Sequence, residues 1–229
     1  MLFIVDFDGT IAPTDTVDAL LERFAAPEWQ RIEQRWIDGR INSQQCMKAQ
    51  LGLVRADRDI LEGFLQSVAV DPFFSEFVRH ASTFAEVAVV SDGLDYPIRH
   101  ALQKLDIAPV PVRANHLEIL PYGLDISFPY TDAACAHQSG VCKCAVARAL
   151  DDGRGRSIVL IGDGRSDRCL AHSASHVFAK GSLRKYCVDQ SIDHTPFDSF
   201  DDVLAVIREW DTAQLNRKLW ETPCPLEAR

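Results

Sequence analysis

The chain opens on Leu2-Phe3-Ile4-Val5-Asp6-Phe7-Asp8-Gly9-Thr10, where a short apolar run meets two carboxylates. The run from Leu2 to Val5 predicts a buried strand, because it is apolar and contains β-branched residues. Asp6 and Asp8 follow that strand two positions apart, and Gly9 permits a sharp turn. Carboxylates in this arrangement suit Mg²⁺, which prefers hard oxygen ligands. The same stretch also fits an ordinary Asp-Gly turn, so alone it leaves a metal site and a turn as equal alternatives.

Two more polar features lie further along the chain. Ser91-Asp92-Gly93 follows the apolar run from Val87 to Val90. The Ser91 hydroxyl and neighbouring backbone N–H groups suit phosphate oxygens, although in isolation an N-cap and turn explains the segment better. Lys143 stands near the start of a predicted helix. A lysine there usually faces solvent, but directed toward the strand ends it would offset charge between a phosphate and carboxylates.

The last feature is Ile161-Gly162-Asp163-Gly164-Arg165-Ser166-Asp167, which follows a strongly apolar predicted strand. Asp163 would supply a further metal ligand, and Asp167 would orient a water molecule or the lysine. Ligands of open parallel sheets bind at the carboxyl ends of the strands, which is where these features fall. Independent turns are not expected to place Asp-x-Asp, Ser, Lys and Asp-x-x-x-Asp in this order. Their conjunction therefore favours a catalytic site.

The apolar pattern predicts an α/β fold. In the C-terminal half, short apolar runs alternate with amphipathic stretches, as in strand–helix units on a parallel sheet. One of these runs predicts a strand from Val110 to Ala114, followed by a hairpin around Pro121-Tyr122-Gly123. From Asp15 to Val68 the apolar spacing is helical and predicts three or four short helices, with Asn42 or Ser43 and Asp57 as N-caps. We therefore expect a core of residues 1–14 and 76–229 and a helical insertion of residues 15–75, placed to close over the site.

Composition narrows the possible partners. The formal net charge is -9, which disfavours binding to nucleic acid or to anionic lipid. No apolar run approaches the roughly 20 residues that cross a bilayer, and no basic segment precedes the first apolar run. Seven scattered cysteines without an export signal predict reduced thiols and a cytoplasmic protein. Nothing in the sequence determines the oligomeric state.

The four features together resemble the four motifs of the haloacid dehalogenase superfamily of phosphohydrolases, over nearly the whole chain. The resemblance implies a Rossmann-like parallel sheet core with an inserted α-helical type-1 cap, and Mg²⁺ as cofactor. It also implies that a phosphorylated small metabolite is hydrolysed through a phospho-aspartyl intermediate. Within the superfamily, the motif order and cap placement are similar to the phosphoserine phosphatase branch. They are more closely similar to the group of 2-hydroxy-3-keto-5-methylthiopentenyl-1-phosphate phosphatases.

The resemblance also implies a role for each matched residue. Asp6 corresponds to the nucleophile and Asp8 to the general acid and base. Asp163 corresponds to the acidic metal ligand, with Asp6 and the backbone carbonyl of Asp8 as the other protein ligands. Asp167 corresponds to a supporting acid. The implied phosphate-binding residues are Ser91, Asp92, Gly93 and Lys143, of which Lys143 also balances charge during catalysis.

Physical chemistry agrees with these implied roles. A carboxylate that attacks a phosphate dianion meets repulsion, so the site must gather positive charge from Mg²⁺ and a lysine. A second carboxylate, Asp8, suits a reaction with a leaving oxygen to protonate. Family members that break carbon–halogen bonds lack such a residue.

Three alternatives remain open from the sequence. The same intermediate permits phosphoryl transfer to a second alcohol in place of water. A signalling receiver also uses an acceptor Asp, Mg²⁺ and a Lys, but it is shorter, lacks a helical insertion and carries its acceptor on a later strand. A catalytically inactive binding protein is disfavoured because all the expected side chains are present.

Arg35 and Arg40 fit a solvated helix face better than a substrate contact, and the sequence does not tell which way Arg165 points.

Overall fold

A mostly parallel sheet forms the centre of the protein. The computed structural model describes residues 1–121, 123–135 and 138–210. Strand β1 (Leu2–Val5) pairs in parallel with β2 (Glu86–Leu94) on one side and with β5 (Ile158–Gly162) on the other. Within the described residues the sheet has the order β4-β3-β2-β1-β5-β6-β7. The remaining strands are β3 (Val112–Leu120), β4 (Gly123–Ser127), β6 (His176–Ala179) and β7 (Thr195–Pro196).

Four of the five helices between β1 and β2 form the helical insertion, within the three or four that the apolar spacing predicts. They are α1 (Thr16–Phe24), α2 (Trp29–Ile37), α3 (Ser43–Leu51) and α4 (Arg58–Gln66). The predicted N-caps are confirmed, since Asn42 forms a capping box with Gln45 and Asp57 accepts a hydrogen bond from the backbone of Ile60. The helices share an apolar cluster with the antiparallel β3–β4 hairpin, which contributes Leu117 and Ile126. The fold class, an α/β core with a helical cap, is confirmed.

Six further helices cover the two faces of the sheet among the described residues. Alternation along β1 sends Phe3 and Val5 into one apolar cluster and Leu2 and Ile4 into the other. The first face carries α5 (Phe74–Ala81), α6 (Asp95–Gln103) and α10 (Phe200–Arg208). The second carries α7 (Lys143–Asp151), α8 (Arg168–Ala171) and α9 (Gly181–Asp189). No helix of the described residues has both the length and the apolar character that crossing a bilayer requires.

Helix α5 bears on the expected division into core and insertion. It begins at Phe74, whose ring packs against that of Phe200 at 5.0 Å, and Phe77 packs edge-on against Phe3 at 5.4 Å. These contacts attach α5 to helix α10 and to strand β1 of the core, close to the boundary proposed after residue 75. The exact division into domains stays a prediction.

Some elements differ from the expected bounds. Strand β2 does not end at Val90 but runs to Leu94, with a register shift between these residues. The expected strand at Val110 begins at Val112 and continues to Leu120, because β4 pairs with its second half. The predicted hairpin around residues 121–123 is present, since Leu120 pairs with Gly123, while Tyr122 lies outside the described residues.

Candidate active site

The predicted site residues meet at the carboxyl edge of the sheet, at the point where the strand order reverses. From β1 the chain proceeds to β2 and β3 on one side, and later to β5 and β6 on the other. Parallel α/β sheets bind ligands at such a switch point. A cavity of about 360 Å³ opens there, and its lining includes Asp6, Ser91, Lys143 and Asp163 from the core. Helices α2 and α3 of the cap line its other side, so the core and the cap enclose one site.

Lys143 points into the sheet edge and not toward solvent. It is the first residue of α7, its side chain is 1% exposed, and its Nζ lies 2.7 Å from Asp6 Oδ2 and 2.5 Å from Asp167 Oδ1. Burial by itself would lower the pKa of Lys143, but Asp167 and Asp6 outweigh it and the pKa is raised. Lys143 is therefore held as a cation, in contact with two carboxylates.

Three carboxylates meet beside this lysine. Asp6, Asp163 and Asp167 each bring an oxygen into a group whose members lie within 4.8 Å of one another. Burial, followed by the charge of Asp6, raises the pKa of Asp163 to about 6. One lysine does not neutralise three acids, and hard oxygen donors with excess negative charge suit a divalent cation. The site therefore fits a metal ion.

Within that group the Asp167 carboxylate accepts the largest number of hydrogen bonds. Its Oδ1 accepts from Lys143, and its Oδ2 accepts from the backbone N–H groups of Asp163 and Gly164. Burial raises its pKa to about 7 despite the nearby lysine. Asp163, in contrast, accepts from the Thr10 hydroxyl at its Oδ1. Asp6 and Asp163 are thus better suited than Asp167 to bind a cation, and Asp167 is suited to orient Lys143.

Asp8 lies at the same edge but in a different environment. Its Oδ1 accepts from the Thr16 backbone N–H at 2.8 Å and from the Thr16 hydroxyl at 2.6 Å. Burial, followed by the charge of Asp15, raises the pKa of Asp8 well above its usual value. A carboxyl group of this kind is able to hold and release a proton. Sequence reasoning missed Thr16, whose only signal was its place beside Asp15 at the start of α1.

Ser91 and Asp92 lie in the last residues of β2 and have different contacts. Ser91 is buried, and its Oγ accepts from the Gly93 backbone N–H at 3.0 Å. Asp92 Oδ1 accepts from the Val141 backbone N–H at 2.8 Å, which connects β2 to the segment before Lys143. Burial raises the pKa of Asp92 to about 6. Ser91 is therefore placed for ligand contact, whereas the Asp92 carboxyl group positions the chain.

Asn115 on β3 is a further residue that contacts Asp92 at the end of β2, and the sequence did not indicate it. It is fully buried, and its Nδ2 donates to the Asp92 carbonyl at 2.6 Å and to the sulfur of the cap residue Met47 at 3.7 Å. No sequence motif singles out an asparagine at this position, because its partners are distant in the chain. It acts as a support beneath the site.

The motif glycines leave room for carboxylates. A Cβ on Gly9 would lie 2.3 Å from Asp163 Oδ2, and Gly9 also has a φ of +70°, which glycine adopts without strain. A Cβ on Gly93 would lie 2.2 Å from Asp8 Oδ2, and one on Gly162 would lie 2.4 Å from the Asp167 carboxyl group. The sequence indicated only a turn at Gly9 and close approach of the backbone at Gly162. The structure adds that each glycine accommodates an acid of the site.

The three arginines left open by the sequence occupy different surroundings. Arg40 is 71% exposed and pairs with Asp38, and Arg35 is also exposed; neither lines the cavity. Arg165 does line the cavity, and its guanidinium lies over the Trp36 ring of α2 at 5.2 Å. The exposure of Arg35 and Arg40 agrees with the interpretation that both face solvent, and Arg165 is directed toward the cap.

Comparison with known proteins agrees with the motif-based resemblance. Residues 3–172 match the family model described as haloacid dehalogenase-like hydrolase. The chain is 32% identical over 206 residues to a 2-hydroxy-3-keto-5-methylthiopentenyl-1-phosphate phosphatase of Exiguobacterium sibiricum, covering 88% of this chain and 93% of the relative. It is 27% identical over 213 residues to the protein of the same name from Brevibacillus brevis, covering 91% and 96%.

Solved structures show the same fold. A phosphoserine phosphatase described as a phospho-aspartyl intermediate analogue superposes with a TM-score of 0.69 at 18% identity, over 92% of this chain and 98% of that one. A phosphoserine phosphohydrolase-like protein of Francisella tularensis has a TM-score of 0.64 at 16% identity, over 90% and 98%. The sequence-based prediction of an enzyme of this superfamily is confirmed: the chain belongs to the haloacid dehalogenase-like hydrolases.

Proposed function

We propose that the protein is a Mg²⁺-dependent phosphomonoesterase that acts on a small phosphorylated metabolite through a phospho-aspartyl intermediate at Asp6. One observation carries this proposal: Asp6 lies at the end of β1 in contact with Lys143 and within 4.8 Å of Asp163. A carboxylate in this position has both a fixed cation and a metal-type donor set beside it. Family membership and relatives that are named phosphatases support the same chemistry.

The metal site comprises Asp6, Asp163 and the backbone carbonyl of Asp8. When bound there, Mg²⁺ neutralises charge on the phosphoryl oxygens and lowers the repulsion between the phosphate and Asp6. Lys143 contributes a second, permanent positive charge beside Asp6. The Ser91 hydroxyl, whose Oγ accepts from the Gly93 N–H, and the backbone N–H of Asp92 bind phosphate oxygens without adding charge.

The reaction then has two steps, which use Asp6 and Asp8. In the first, an Asp6 oxygen attacks phosphorus, the ester P–O bond breaks, and Asp8 gives its proton to the departing oxygen. In the second, water attacks the phosphorus of the acyl phosphate and loses a proton to Asp8, which releases phosphate and restores Asp6. The raised pKa of Asp8 supports this role, since the group must carry a proton before the first step. Hydrolysis is proposed in preference to transfer to an alcohol because the relatives are named phosphatases.

Trapping the intermediate tests the proposal. Wild-type protein is mixed with Mg²⁺ and a phosphomonoester whose phosphoryl group is radiolabelled, and the mixture is quenched in acid. We expect the protein to carry the label. Hydroxylamine should remove this label, as it does from acyl phosphates. A chelator should abolish both labelling and turnover, and added Mg²⁺ should restore them. Full turnover in the chelator, or turnover without any labelled protein under conditions that slow the second step, would contradict the mechanism.

A further inference from the structure

Arg165 connects the core to the cap across the cavity. It begins the 3-10 helix Arg165–Asp167, two residues after Asp163, and its guanidinium lies over the Trp36 ring at 5.2 Å. Trp36 belongs to α2, and both side chains line the cavity. The contact therefore fixes an arginine of the catalytic core against the part of the cap that faces the substrate.

The guanidinium of Arg165 has hydrogen-bonding capacity to spare. Among the described residues that line the cavity, the cationic side chains are Lys143 and Arg165. Lys143 is in contact with Asp6 and Asp167, whereas the Arg165 guanidinium makes no hydrogen bond or ion pair with any residue that the structure describes. A guanidinium on an aromatic face keeps its N–H donors available in its own plane. Arg165 is thus held in position with donors available to a ligand.

The other charges of the cavity lining indicate what kind of acceptor suits Arg165. Three acids, Asp15, Asp18 and Glu33, line the cap side of the same cavity. Burial raises the pKa of Asp18 to about 6, and the charges of Asp15 and Glu33 add a smaller repulsive contribution. A substrate with a second anionic group would add to that repulsion. A hydroxyl or carbonyl oxygen would not.

We propose that Arg165 is a specificity-determining residue that donates hydrogen bonds to an uncharged oxygen in the organic part of the substrate. The enzyme would then select phosphomonoesters of hydroxylated or keto compounds over purely alkyl or carboxylated ones. This inference rests on the proposed phosphatase function. Its physical basis is that a substrate without this oxygen loses a charge-assisted hydrogen bond to Arg165, which is an exposed residue of the cavity lining.

Substrates with a shared three-carbon skeleton test the proposal. The kcat/KM values for glycerol 3-phosphate, propyl phosphate and 3-phosphoglycerate are measured for the wild type and for Arg165→Met. We expect the wild type to prefer glycerol 3-phosphate over the other two by about tenfold or more. Arg165→Met should lower kcat/KM for glycerol 3-phosphate by about tenfold and leave that for propyl phosphate within about twofold.

Arg23→Met is the matched control. Arg23 also lies over an aromatic ring, that of Phe24 at 5.6 Å, but it does not line the cavity, so its replacement should change none of the three values. An equal loss for glycerol 3-phosphate and propyl phosphate in Arg165→Met would overturn the proposal, because Arg165 would then act on the phosphate or on cap closure. A wild-type preference for 3-phosphoglycerate or propyl phosphate would also overturn it.

Failure of the underlying phosphatase function would have a different signature. Folded wild type with Mg²⁺ would then hydrolyse none of these esters, nor p-nitrophenyl phosphate. Turnover of the esters without the Arg165-dependent difference would contradict the Arg165 assignment alone.

Discussion

Strand β1 and helix α2 both contribute to the cavity, but they differ in burial. All four residues of β1 are buried, and the strand pairs with a neighbour on each side. None of the nine residues of α2 is buried, although Glu33 and Trp36 line the cavity. We call the core side of the cavity, with Asp6, Lys143 and Asp163, the floor, and the side formed by α2 and α3 the wall. Side chains of the floor also stabilise the fold, whereas those of α2 contribute little to the buried core and are available to contact a ligand.

This difference in burial separates the residues that carry out the reaction from those that determine substrate specificity. The floor positions acids and a lysine by burial and by contacts between the segments that follow β1 and β5 and the start of α7, so their geometry tolerates little change. The wall presents an aromatic ring, an acid and amide groups on two short helices, of which α2 has no buried residue and α3 buries Cys46, Gln50 and Leu51. We therefore expect substitutions in the floor to abolish catalysis and those in the wall to alter substrate preference.

The largest expected effect comes from removing the nucleophile in the floor. Asp6→Asn should lower kcat for p-nitrophenyl phosphate by about a thousandfold or more, because the amide cannot form the acyl phosphate. Asp106→Asn, an exposed acid far from the cavity, is the control and should retain wild-type kcat. Retained activity in Asp6→Asn would remove the basis for the floor as the catalytic side.

A smaller effect is expected when an acid of the floor is displaced without being replaced. The Cβ in Gly93→Ala would lie 2.2 Å from Asp8 Oδ2, so the Asp8 carboxyl group must move. We expect kcat to fall about a hundredfold, the usual consequence of misplacing a reacting group by about 1 Å. Gly63→Ala in α4 meets nothing within 4 Å and should leave kcat unchanged. Equal activity of the two variants would show that the position of Asp8 matters less than proposed.

The wall and the core should respond in opposite ways to similar truncations. Trp36→Leu should raise KM severalfold for the preferred ester, since it removes the surface under Arg165, yet change the free energy of unfolding by less than about 1 kcal/mol. Phe77→Leu, in the fully buried cluster behind β1, should cost about 1–3 kcal/mol of unfolding free energy and leave KM unchanged. Urea unfolding and steady-state kinetics on both variants measure the contrast. A large stability loss in Trp36→Leu would contradict the description of α2 as a lightly packed wall.

The smallest effect is expected at Arg40, an exposed residue just after α2. Arg40 is 71% exposed and pairs with Asp38 just after the helix, so Arg40→Ala should leave kcat/KM within about twofold of wild type. Steady-state kinetics with the preferred ester provides the measurement. A tenfold loss would mean that Arg40 reaches the substrate when the cap closes.

Much of the architecture followed from local sequence signals. Apolar spacing predicted three or four cap helices, and Asn42 or Ser43 and Asp57 marked two of their starts, because capping depends on residues only three positions apart. Strand β1 was recognisable from four apolar residues. The extension of β2 to Leu94 was missed, since Ser91, Asp92 and Gly93 resemble a turn when the pairing of Leu94 with Asn115 on β3 is unknown.

The site divides in the same manner. The sequence by itself determined which chemical groups the protein possesses: the acids of the first and fourth motifs, the serine, the lysine and their order on successive strands. Only the tertiary structure decided that Lys143 is buried between Asp6 and Asp167, that Thr16 and Asn115 support the site, and that Arg165 reaches Trp36. The physical reason is that motif chemistry depends on residue type and near neighbours, whereas burial and contact depend on partners that are far apart in the chain and meet only when the sheet and cap assemble.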